Sequence, residues 1–170
     1  EPVGGRRNLL TRTEDFANAA WQTFASASKV GVAPIAGPNG GQAYELNMGP
    51  TGGVIGAAGA VYQGVTLAAG QHVVGIYVRA KTGSSSIRVS GYSNSSAVGT
   101  DDVAISDSAW TFIPFSFTYV AGSPNVALRN NVAGNSGNIY VAMAQLELGS
   151  APSAYQKVVS THDVTEAGKE

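Results

Sequence analysis

The residues of this chain that could do chemistry are few and scattered. Its two histidines, His72 and His162, stand far apart with no cluster of further ligands around either, so a tetrahedral zinc site does not follow from them. Glu14-Asp15 and Asp101-Asp102 are adjacent carboxylate doublets. Neighbours in an extended segment point apart, so neither doublet supplies the facing acid and base of a glycoside hydrolase. They read as solvated loop carboxylates, with a structural Ca²⁺ site as the alternative; no other cofactor is expected. The serines gather in turn-like GSSS (83–86) and SNSS (93–96), and no G-x-S-x-G elbow occurs. The glycine-rich GPTGGVIGAAGA (49–60) is followed by no GK[ST] and reads as a long surface loop open to partner contacts, not as a phosphate cradle. An enzyme is not expected.

What remains is recognition by side chains on strands. If Val74, Ile76 and Val78 face the core, then Tyr77 and Arg79 face outward; if Ile87 and Val89 face the core, then Arg88, Ser90 and Tyr92 face outward. Taken as neighbours, these two strands would carry tyrosines and arginines on one polar sheet face. Aromatic planes suit the C–H faces of sugars, and guanidinium donors suit their hydroxyls. Tyr77, Arg79, Arg88 and Tyr92 are therefore the glycan-binding candidates, with Arg129 as an outlying fifth. The same residue types are also common strand formers with no ligand at all.

The elements that would position them are strands. Gly (22 residues) and Pro (7) punctuate the chain at short intervals, and alternating or β-branched runs fill the gaps. Strands are predicted at 60–67, 71–80, 86–92, 111–120, 125–132 and 138–148, with weaker ones at 29–36 and 42–48. Eight such strands define an all-β fold, an antiparallel β-sandwich of jelly-roll type. Pro114 marks an edge or a bulge, with Ile113, Phe115, Phe117 and Tyr119 on the core face and Trp110 and Phe112 out of phase. TEDFANAAWQ (13–22) reads as a loop or a single turn capped by Thr13. His72, at the start of its strand, reads as a packing or hydrogen-bonding residue.

Composition narrows the partners. The 170 residues suit one core, and charged residues are only 12% of them, so neutral polar groups carry the surface. A net charge of -1 without a basic cluster speaks against nucleic acid, and no apolar run reaches the ~18 residues of a membrane span. The absence of cysteine removes disulfide and thiolate chemistry. A chain opening on Glu1 reads as a piece of a longer polypeptide. Its expected parts are a leading linker (1–6), the sandwich domain (7–158) and an exit linker (159–170) on the way to a further domain.

The ordered series NLLTRTEDFANAAW, GQAYELN, VYQGVTLAAGQHVVGIYVRAKTGSSSIRVS, SAWTFIPFSFTYVAG and GNIYVAMAQLELGSAPSAYQKV resembles the carbohydrate-binding-like jelly-roll modules of tailed-phage fibre, head-fibre and tail proteins and of gene transfer agent spikes. That resemblance covers roughly residues 7–158. It implies a non-catalytic module on the virion surface that binds host cell-surface polysaccharide, with other virion proteins as partners and a homo-oligomer compatible with it. The alternative it leaves is a decoration or fibre-base domain docked on capsid or tail neighbours without a glycan. It also implies that Trp21 and Trp110 are framework aromatics, and that Gln145 and Glu147 of AQLELG tie the closing strand to adjacent backbone. Alternation puts Gln145 on the face of Ile139, Val141 and Met143, where a buried amide must be hydrogen-bonded.

Overall fold

The computed structural model describes residues 7–49, 59–93, 96–130 and 137–160. The leading linker, the glycine-rich loop from 50 to 58, the Asn135-Ser136 turn, the last residues of the 125–132 strand, and His162 with the rest of the tail lie outside the described residues. Eleven strands and no helix form among them: Gln22–Phe24 (β1), Ser28–Val32 (β2), Tyr44–Asn47 (β3), Ala60–Gly64 (β4), Gly70–Ala80 (β5), Ser84–Ser93 (β6), Ser96–Gly99 (β7), Val103–Ser106 (β8), Thr111–Tyr119 (β9), Asn125–Arg129 (β10) and Asn138–Leu148 (β11). They make two antiparallel sheets, one ordered β1-β4-β10-β6-β7 with β8 also paired to β6, the other β2-β3-β11-β5-β9. The fold is an all-β sandwich of the jelly-roll type.

Strand alternation decides what lies between the sheets. Val74, Ile76 and Val78 of β5, Ile87 and Val89 of β6, Val126 and Leu128 of β10, and Ile113 and Phe117 of β9 are all buried in one core. The two sheets approach closely where β6 crosses β9. A Cβ added at Gly91 would lie 2.4 Å from the Phe117 ring, so only glycine fits there. His72 is buried, holds the Gly70 carbonyl through Nδ1 at 3.0 Å and stacks on Phe117.

Three expectations need correction. First, β5 and β6 are consecutive but lie in different sheets, because the turn around Gly83 (φ 64°) carries the chain across the sandwich. Tyr77 and Arg79 are therefore on the opposite outer surface from Arg88 and Tyr92. Second, β9 is an edge strand, as Pro114 implied, yet its register with β5 is unbroken from Gly70↔Tyr119 to Val78↔Thr111. No bulge occurs there. Trp110 and Phe112 point away from Ile113 by simple alternation, and a proline is tolerated because an edge strand leaves part of its N–H groups outside the ladder.

Third, the bulge is in β11, where the register slips between Ala142 and Gln145 and Met143 takes φ 53°. The extra residue reverses the faces beyond it. Ile139 and Val141 face the core before it, and Ala144 and Leu146 after it. Gln145 is thus on the outer side, not the side of Ile139 and Val141. A tail segment covers it there: Gln145 Oε1 accepts from Gln156 N (2.7 Å), and Gln145 Nε2 donates to Glu147 Oε1 (2.6 Å). Ser153 donates to Glu147 through both N and Oγ, each at 2.7 Å. Gln145 and Glu147 clamp the closing strand to adjacent backbone.

The 13–22 segment is a chain of turns, not a helix, with Asp15, Asn18 and Trp21 amides each donating three residues back. Thr13 does not cap it. Its Oγ1 accepts from Val158 N (2.9 Å) and bonds Tyr155 Oη (2.8 Å), while its carbonyl accepts from Ala144 N. Asn8 does the same one strand-length away, donating from N and Nδ2 to Gln156 and accepting from Leu146 N. Both segments that flank the sandwich are fastened side by side to β11.

Candidate functional site

The five candidates read from the sequence divide between the two outer surfaces. Tyr77, on the five-stranded sheet, packs with Trp110 and Tyr155 around Tyr140, Ala142 and Met143, its ring 4.8 Å from that of Phe112. Arg79 on the same surface spends its guanidinium on the Asp107 carbonyl, with Nε at 2.9 Å and Nη2 on the same oxygen. Trp21, stacked on Phe16, and Trp110, bonded to the Ala36 carbonyl, are framework residues. On this surface Tyr77, Phe112, Met143 and the 152–155 segment line a smaller pocket of about 200 Å³, in which Gln145 is already hydrogen-bonded.

The outer face of the six-stranded sheet is different. Strand register sets Gln22, Tyr62, Ala127, Ser90 and Gly99 in one row across five strands, and Phe24, Ala60, Arg129 and Arg88 in the next. The first row runs from a tyrosine onto small residues, of which Ala127 and Ser90 are buried. Phe24, Ala60, Tyr62, Asn125 and Arg129 enclose a pocket of about 250 Å³ at one end of this face. Phe24 is 50% exposed there, and Tyr62 donates its hydroxyl to Gln22 Oε1 at 2.7 Å. Tyr92 lies on the same face, half-buried, toward the β7 side.

Arg129 is therefore not an outlier: it is the register partner of Arg88. The two guanidinium groups are balanced differently. Arg88 is held by Asp102, Nε to Oδ1 at 2.7 Å and Nη2 to Oδ2 at 3.2 Å, and this hydrogen-bonded carboxylate raises its pKa. Arg129 donates Nε to the Ser90 hydroxyl at 2.9 Å, and burial lowers its pKa. Among the described residues no carboxylate pairs with it. In the same pocket, Asn125 Oδ1 is buried without a hydrogen-bond donor.

A larger concavity, about 540 Å³, opens between the leading segment and the Ser123-Pro124 turn. Its buried polar group, Gln63, is already satisfied by the backbone of Thr11, from Nε2 to O at 2.8 Å and from Thr11 N to Oε1 at 2.9 Å. Arg7, Thr66 and Ser123 also line it, but no aromatic ring does, so it lacks the stacking surface of the pocket beside Arg129. Of the four carboxylates weighed for Ca²⁺, two are partnered by cations, Glu14 by Lys157 (2.6 Å) and Asp102 by Arg88. Among the described residues no three His, Asp or Glu side chains converge on a point.

Tyr62, Phe24, Gln22 and Asn125 were not singled out from the sequence. Tyr62 was within reach, since Val61 facing inward puts Tyr62 outward. Phe24 sits on a three-residue strand too short to show a period, and Asn125 reads as a turn residue at the start of its strand.

No family model matches the chain, and no curated protein matches it in sequence. Its likeness to known proteins is three-dimensional. The CBM22-1 xylan-binding domain of Paenibacillus barcinonensis Xyn10C superposes with a TM-score of 0.61 at 12% identity, over 86% of this chain and 94% of that one. The C-terminal family 22 carbohydrate binding module of Clostridium thermocellum Xyn10B gives 0.64 at 9%, over 89% and 97%. The enzymatically active domain of tailspike protein 4 from bacteriophage CBA120 gives 0.53 at 15%, over 84% of this chain and 21% of that one. The class this defines is a fold: the β-sandwich that carbohydrate-binding modules share.

Proposed function

We propose that the chain is a non-catalytic carbohydrate-binding module that takes polysaccharide on the outer face of its six-stranded sheet. The observation that carries this reading is the pocket of Phe24, Tyr62, Asn125 and Arg129, where aromatic surface lies beside a guanidinium that no carboxylate of the described residues neutralises. Aromatic rings stack on sugar C–H faces, and polar groups with open hydrogen bonds fix the hydroxyls. No proton transfer or nucleophile enters. The wider setting we propose is the surface of a phage or phage-like particle, where many copies bind host-surface polysaccharide and weak single-site affinity is multiplied by avidity. The ordered sequence motifs support that setting, as does the likeness to a tailspike domain.

The test is a glycan and host-envelope screen with the 170-residue chain displayed multivalently. Tyr62→Ala is expected to abolish the retained hits with little change in melting temperature, whereas Tyr77→Ala, on the other sheet, leaves binding intact. Retention of every hit by Tyr62→Ala would remove this face as the site.

A second reading, docking on neighbouring virion proteins, has one observation in its favour. Edge strand β2 exposes Val30 (54%) and Val32 (59%) beside a bulge at Gly31.

A further inference from the structure

We propose that the ligand of this face is an acidic polysaccharide, with a sugar carboxylate seated on the Arg129 guanidinium. The proposal rests on the glycan-binding reading above and names its substrate class.

The argument starts from a contrast between register partners. Arg88 and Arg129 stand opposite each other on the adjacent strands β6 and β10, yet among the described residues only Arg88 has an acid, Asp102, held through two hydrogen bonds. A half-buried guanidinium without a counter-ion is costly to hold, and proteins normally place an acid beside it. Among the described residues Arg129 has only the neutral Ser90 hydroxyl, on Nε, and none of them bonds the terminal amino groups of its fork. A planar fork matches a carboxylate in two parallel hydrogen bonds, something a ring hydroxyl does not provide.

The surroundings suit a sugar acid better than a simple anion. Phe24 and Tyr62 supply apolar walls to the same pocket, and Asn125 Oδ1 is a buried acceptor lacking a donor. Asn125 lines the pocket as a residue and its amide pairs with hydroxyls, so the pocket suits a molecule carrying a carboxylate and hydroxyls plus an apolar ring face. The overall charge of -1 shows no broad basic field, which sets the expected interaction as local and singular.

The experiment measures the multivalently displayed chain against polygalacturonate, polysialate, carboxyl-reduced polygalacturonate, β-1,4-galactan and dextran sulfate. Binding to a carboxylated polymer, loss of at least tenfold on carboxyl reduction, and the same loss in Arg129→Gln support the proposal; the polyuronate and polysialate arms tell which sugar acid supplies the group. Arg129→Lys is expected to retain part of the affinity. Arg129→Met, which removes the unpaired charge, should melt no lower than the wild type, so lost binding is not lost folding. Tyr62-dependent binding to β-1,4-galactan or to carboxyl-reduced polygalacturonate as strong as that to polygalacturonate, and unchanged by Arg129→Gln, would overturn acidic specificity while leaving the glycan reading standing. Equal binding to dextran sulfate would reduce the site to general anion capture and also overturn it. If no polymer bound, the glycan reading itself would fall.

Discussion

At the scale of single residues, the sandwich depends on a few positions where no other side chain fits. Gly91 is one, because its missing Cβ is what allows the Phe117 ring to pass beneath β6. Gly91→Ala is expected to cost about 1–3 kcal/mol, the usual cost of overpacking a buried site, read as a lower denaturant midpoint. Adding Phe117→Leu should recover part of that loss; a double variant no more stable than Gly91→Ala would show that the strain lies elsewhere. The Gln145–Glu147 pair is a different kind of necessity. Each is a buried polar side chain with its donors and acceptors matched to residues 153–156, so the polar atoms hold a segment in place instead of waiting for a ligand.

At the scale of elements, three strands of the five-stranded sheet meet at Glu45. This β3 carboxylate accepts from Lys81, just beyond β5, at 2.7 Å, and from Asn138 of β11. Its pKa is held below the ordinary value chiefly by the Lys81 hydrogen bond, against the opposing effect of burial and with help from Asn138. A carboxyl depressed in the folded state contributes stability above its unfolded pKa of about 4.3, and loses it as pH falls through the lower folded value. Glu45→Gln should therefore lower the urea midpoint at pH 7 and matter much less near pH 3. An equal difference at both pH values would mean that the ion pair adds nothing.

The strands that carry the core were legible in the sequence because they are long enough to show a period: β5, β6, β9 and β11 all fall where alternation put them. Three strands were not. β1, β7 and β8 are three or four residues each, and Ser, Gly and Asp around them read as turns. The partition of β5 and β6 between sheets was illegible for another reason. A tight turn looks the same whether it folds a hairpin or crosses a sandwich, and only long-range pairing with β10 and β11 decides it. Half of the candidate face followed from that choice. Arg88, Tyr92 and Arg129 share a sheet, Tyr77 and Arg79 do not, and Tyr62 joins through a register that no local pattern encodes. The β11 bulge was equally hidden, since nothing in VAMAQLEL announces that Met143 adopts a left-handed backbone.

At the scale of the whole molecule, a chain with only 12% charged residues leaves association to shape and neutral polarity. The docking reading belongs here, because it concerns the edge of a sheet, not its face. Val30→Lys with Val32→Lys should prevent the isolated chain from rebinding particles stripped of it while leaving glycan binding unchanged. Normal rebinding at fixed stoichiometry would clear that edge of any role.

The fastening of residues 8 and 13 to 156 and 158 has a mechanical meaning. Asn8 with Gln156 and Thr13 with Val158 run in the same direction, so a pull applied through the two segments loads their hydrogen bonds together, in shear, and passes directly into β11, to which both are bonded. The closing strand is where tension enters the sandwich.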